Sequence, residues 1–168
     1  MNFPIIASTM AVEFGKDADG FGLLSSILAI GSLTGALLAA RRDRARISVV
    51  SGASGFFAVA SIISAFMPSY WLYAASLMLT GFAVVTLLTT ANAVVQTTTD
   101  PALRGRVMAL YMAILMGGTP IGAPIIGWVG ETFGARWTIA LGGIVTLVTA
   151  LLCIAWLMLA RGVHVRYD

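Results

Sequence analysis

The chain has 168 residues, 59% hydrophobic and only 10% charged, with a mean hydropathy of +0.95, a balance that excludes an ordinary water-soluble globular domain. Ten basic residues against seven acidic ones give a formal charge of +3. The arginines fall in short clusters between apolar runs and form no basic stripe, which argues against nucleic-acid binding and for signals of membrane topology. The single cysteine, Cys153, lies within an apolar run and offers neither an intramolecular disulfide nor a cysteine-rich metal cluster.

The opening segment, MNFPIIASTM, lacks the basic residues of a secretory signal and runs into EFGKDADG without a small-residue cleavage site, so it reads as mature sequence. As a helix, Met1 to Phe14 would reach about 21 Å, too short to cross a bilayer. It reads as the last part of a helix, or as a re-entrant or interfacial segment.

Five stretches then approach or exceed the length that spans the hydrocarbon core: Phe21 to Ala40, Ile47 to Met67, Tyr70 to about Gln96, Val107 to Val129, and Trp137 to Ala160. Barrel strands would be about half as long and would alternate apolar with polar, so the expected class is an all-α integral membrane protein. Short connections make consecutive helices antiparallel. Arg41, Arg42, Arg44 and Arg46 then share one side with Arg104, Arg106, Arg161 and Arg166, and Lys16 and Arg136 share the other with Glu13, Asp17, Asp19 and Glu131. The arginine-rich side, with the C-terminus, is expected in the cytoplasm.

Within the first full stretch, Gly31, Gly35 and Ala39 repeat every four residues and make a narrow helix face. In the third, Thr89, Asn92 and Gln96 line one side of a helix, a stripe too polar for lipid. It calls either for an interhelical hydrogen-bond ladder or for a water-filled path. The loop TDPALRGRV offers Asp100 as N-cap, Pro101 as first helical residue, and Arg104 four residues from Asp100. The fourth stretch contains MGGTPIGAPIIGW, with Gly118 and Gly122 spaced by four and Ala123 and Gly127 likewise. Pro120 and Pro124 each remove a backbone donor, so this helix is expected to kink and to pack closely. Tyr111 with Thr119 presents polar atoms on the same helix, although a tyrosine there also suits an interfacial anchor.

Three of these segments, GFGLLSSILAIGSLTGALLAARR, TTANAVVQTTTDPALRGRVMALYM and MGGTPIGAPIIGW, follow one another in a way that resembles the C-terminal half of a major facilitator superfamily transporter. The similarity is to the drug and siderophore exporter branch, with its macrolide-efflux and enterobactin-exporter proteins. The resemblance covers essentially the whole chain. It implies that residues 1–168 form the C-terminal six-helix half, with an incomplete first helix and the N-terminal half absent. It further implies that the Gly31/Gly35 and Gly118/Gly122 faces line the junction with that half, and that Thr89, Asn92 and Gln96 face the central pathway. The glycine-proline segment resembles the antiporter motif of the other half, which implies a bending element; ordinary close packing remains the alternative. In the loop AARRDRARI only Asp43 and Arg44 keep the family's Gly-x-x-x-Asp-Arg-x-Gly-Arg pattern, Ala39 and Arg46 standing at the glycine positions. A cytoplasmic latch pairing Asp43 with Arg104 and Arg106 follows as an expectation.

No Asp, Glu, Lys or Arg lies well inside any span, so a coupling charge would have to come from the absent half. Nor do the spans hold a Ser/His pair, paired carboxylates or a metal-ligand cluster, and His164 sits in the polar tail. No catalytic residue, metal or cofactor is expected. The resulting expectation is alternating-access efflux of small amphipathic molecules, in the bilayer of the cell membrane, with an N-terminal half or a second copy as partner. The alternative is a small non-transport membrane protein that binds a partner through its glycine-rich faces.

Overall fold

The computed structural model describes residues 3–41 and 46–164. Six helices follow in order: α1 (Phe3–Glu13), α2 (Ala18–Ala40), α3 (Ile47–Ala65), α4 (Tyr70–Thr98), α5 (Arg104–Phe133) and α6 (Ala135–His164). Among the described residues there is no strand. Each helix from α2 to α6 contains a span long and apolar enough to cross a membrane. The chain is therefore a multi-pass helical membrane bundle, with α1, at 11 residues, the one short element.

Helix ends differ from the apolar limits by a few residues, because backbone hydrogen bonding does not stop where hydropathy does. α4 continues past Gln96 while Thr97 and Thr98 return their hydroxyls to the carbonyls of Ala93 and Val94, at 2.8 and 2.7 Å. α3 stops at Ala65, short of Met67, since Pro68 disfavours helical backbone in the residue before it. α1 closes at Gly15, whose φ of +66° lets Gly15 and Lys16 donate back to Val12 and Ala11, both at 2.9 Å. Gly134, at φ +95°, alone separates α5 from α6.

Packing rests on small residues that let helix backbones approach. On α2, a Cβ placed on Gly31 would collide with the Met78 carbonyl, and one on Gly35 would lie 2.6 Å from the Phe82 carbonyl oxygen. The relation is reciprocal: a Cβ on Gly81 of α4 would lie 2.5 Å from the Leu28 carbonyl. α6 meets α3 the same way, Gly143 sitting where a Cβ would be 3.1 Å from the Ala58 carbonyl. Between α3 and α4 the buried Ser64 hydroxyl donates to that of Ser76 at 2.6 Å, and Ser76 donates to the Tyr73 carbonyl. Met10, Leu24, Tyr73, Ala74, Leu77 and Ile139 fill the space between these contacts. Trp71, Trp128 and Trp137 stand exposed near the ends of α4, α5 and α6 that share one side, where indoles favour the membrane interface.

The expectation that the Gly31/Gly35 face awaits an absent helix is thereby corrected. α4 of the same chain covers it, because the matching Gly81 allows a mutual fit that the i, i+4 spacing on α2 alone does not reveal. α5 is different: Val129 is its one buried residue among those described, and none of its most apolar window is buried. Replacing Gly35 with Val is expected to lower bundle stability by about 1–3 kcal/mol through overpacking, read by denaturant titration in micelles. Gly118→Val, at a site where a Cβ meets nothing within 4 Å, is expected to leave that transition unmoved.

Candidate substrate pathway along α4 and α5

The polar stripe on α4 begins two turns inside the helix. Thr89 is exposed, Asn92 half-buried and Gln96 exposed. The Thr89 hydroxyl donates to the Val85 carbonyl at 2.7 Å, the usual return bond of a threonine in a helix. Gln96 Nε2 donates to Asn92 Oδ1 at 2.7 Å. These bonds stay within α4 and make no ladder to another helix. The bond uses one donor of Gln96 and one acceptor of Asn92, so each amide keeps a further donor or acceptor, one turn apart on the helix.

On α5 the helix passes through both Pro120 and Pro124 without interruption. A proline at position i cannot donate to i−4, so the carbonyls of Met116 and Pro120 lose their helical partners. A Cβ on Gly117, Gly118 or Gly127 would meet nothing within 4 Å, so among the described residues no helix packs against these glycines. Gly122, Tyr111 and Thr119 are half-buried. Among the described residues no hydrogen bond joins Tyr111 to the α4 stripe.

At the arginine-rich end, Asp43 and Arg44 lie outside the described residues, and the expected latch to Arg104 and Arg106 lies outside them too. Both of those arginines are exposed. Asp100 does not serve as the N-cap of α5. Its carboxylate accepts the Ala102 N–H at 2.8 Å and its carbonyl accepts those of Leu103 and Arg104 at 3.0 and 2.9 Å. Residues 101–103 therefore form a turn that Asp100 closes, and the helix starts at Arg104.

The opposite end is knitted together by contacts that sequence reading missed. Arg136 Nε, at the start of α6, donates to Glu13 Oε1, at the end of α1, at 2.6 Å. The same guanidinium lies 5.7 Å from the Phe14 ring centroid. Phe14 meets Tyr70 edge-on at 6.1 Å, and the Tyr70 hydroxyl donates to the Gly20 carbonyl at 2.7 Å. α1, α2, α4 and α6 thus share one cluster. The only sequence signal for it was that Glu13 and Arg136 carry opposite charges on the same expected side. Because both partners are about a third exposed, reversing either one is expected to cost at most about 1 kcal/mol. Arg136→Glu should speed hydrogen exchange in α1, and the double exchange with Glu13→Arg should restore the slower rate.

The profile of the Major Facilitator Superfamily matches residues 1–166. Comparison with curated proteins and with solved structures finds no match.

Proposed function

The chain belongs to the Major Facilitator Superfamily, and we propose that it is the C-terminal half of a transporter that exports small amphipathic molecules from the cell. In this reading the protein lies in the cell membrane with its arginine-rich loops and C-terminus in the cytoplasm. It works by rocking against an N-terminal half. The observation that carries the proposal is the state of α5: a 30-residue helix, rich in glycine and proline, none of whose most apolar window is buried by the described residues. An apolar helix with open glycines is shaped to receive another helix, and lipid does not pack against them as closely.

The α4 stripe supplies the path. Thr89, Asn92 and Gln96 lie toward the arginine-rich end, where the remaining amide donors and acceptors would meet water and the polar parts of a substrate. Tyr111 and Thr119 on α5 would flank that path once a partner half holds α5 in place. The export direction, and antiport as its coupling, rest on the drug and siderophore branch that the sequence resembles. With no Asp, Glu, Lys or Arg well inside any span, the coupling charge belongs to the other half.

Self-association through the α5 face is the reading of a different class, that of a membrane protein that stabilises a partner and transports nothing. Accumulation of a fluorescent amphipathic dye in cells separates the two. The proposal expects no change with the chain alone and lower dye levels when a candidate N-terminal half is co-expressed. Gly118→Leu should abolish the lowered dye level while leaving the chain's own unfolding transition intact. Dye levels that never respond to any N-terminal half, together with a stable homodimer, would overturn it. In a Cys153→Ala background, Thr89→Cys is expected to react with a membrane-impermeant maleimide in the assembled transporter, and Leu79→Cys, on a lipid-exposed part of α4, to remain unreacted.

A further inference from the structure

A half-open cavity of about 200 Å³ lies among the helices, walled by α1, α3, α4 and α6 and edged by Ile126 of α5. It is separate from the α4 stripe and from the open glycines of α5, none of which line it. We propose that it is a binding site for a small neutral molecule with an apolar, ring-sized body and one hydroxyl-like polar group.

The hollow is fixed by its walls. α6 cannot slide inward to close it, because Gly143 already brings α6 to the closest approach with the Ala58 carbonyl of α3. α3 and α4 are held by the Ser64–Ser76 hydrogen bond. The space stays open at Gly142, the preceding residue on α6, where a Cβ would meet nothing within 4 Å. An engineered cavity of about 150 Å³ holds benzene, so this one accommodates a somewhat larger ring system.

Its chemistry selects the class of ligand. Phe57, Ile126 and Ile139 give apolar walls, and no Asp, Glu, Lys, Arg or His lines the cavity, so a charged ligand would be buried without a counter-charge. Two lining hydroxyls donate to no hydrogen bond seen among the described residues and belong to side chains that are mostly covered, Ser61 at 5% exposed and Tyr73 at 1% exposed, while neither oxygen is itself sealed off as that of Thr86 is. The other hydroxyls there are satisfied, Ser64 by Ser76, Thr80 by Leu77, Thr138 by Ala135 and Thr146 by Gly142. A ligand that brings one polar atom to Ser61 or Tyr73 gains a hydrogen bond in a largely apolar surrounding. A lipid acyl chain would fill the volume and leave both hydroxyls unpaired.

The test uses the purified full chain in phosphatidylcholine nanodiscs, with 1-naphthol, naphthalene and 1-naphthoate as probes and calorimetry as the readout. Saturable binding is expected for 1-naphthol, weaker binding for naphthalene and none for naphthoate. Ser61→Ala should weaken 1-naphthol about fivefold, the effect of one lost hydrogen bond, and leave naphthalene unchanged. Gly142→Leu, which fills the hollow, should abolish the saturable component. Gly142→Ala should reduce it, and serves as the control if the larger side chain disturbs folding. Equal binding of 1-naphthol and naphthalene, indifference to Ser61→Ala, or binding that survives both Gly142 variants would overturn the proposal, as would no saturable binding at all. Because binding is read on the chain alone, failure here leaves the transport reading untouched, and loss of transport without loss of naphthol binding does the converse.

Discussion

Direct contact of one helix backbone with another holds this bundle together. In water an apolar helix face is driven inward by the release of solvent, but in a bilayer leucine gains nothing by leaving lipid for protein, and only closer contact than lipid can make is left. The chain achieves that contact where Gly31 and Gly35 admit the carbonyls of Met78 and Phe82, and where Gly81 returns the arrangement against Leu28. At such separations Cα–H groups face carbonyl oxygens, a weak interaction that recurs at helix interfaces and adds to dispersion. Gly143 repeats the device between α6 and α3. The large side chains mostly remain outside: Leu33, Leu37, Ile114 and Trp156 are all exposed to what would be lipid.

This constraint explains which features were legible in the residues. Helices α2 to α6 could be read because an apolar run of bilayer length has few other uses, and the errors at their ends came from polar residues such as Thr97 and Thr98 that extend a helix by bonding to its own carbonyls. The Gly31/Gly35 repeat announced a close contact and not its partner, since spacing along one helix names a face and says nothing of the helix opposite. Gly81 and Gly143 form no repeat at all, so half of each contact was invisible. Asn92 and Gln96 were visible as a stripe, and their i, i+4 separation already allowed the bond they make to each other.

Features assembled from distant parts of the chain were not legible. The Glu13–Arg136 pair joins residues 123 apart, and nothing local marks either as the other's partner. The cavity draws its lining from five helices, small polar residues and apolar ones alike, each ordinary in its own context. Along its wall Gly143 packs tightly while Gly142, one residue away and turned about 100° around the helix, packs against nothing. Two adjacent glycines therefore do opposite things, which only the placement of α3 decides.

α5 follows from the same rule. A helix in lipid must satisfy its backbone internally, and Pro120 and Pro124 break that condition at the carbonyls of Met116 and Pro120. Such acceptors take a donor from a hydroxyl of the same helix, from a neighbouring helix or from water in a cavity, and lipid tails supply none. Open glycines at 117, 118 and 127 lie along the same helix, so the segment with the greatest need of a neighbour is also the one best shaped to admit it. In α2 and α4 the small residues are matched and the contact is closed within the chain; in α5 the need and the shape are both present without the match. α5 thus carries its small residues and its two proline-broken positions on a helix whose most apolar part the described residues leave uncovered.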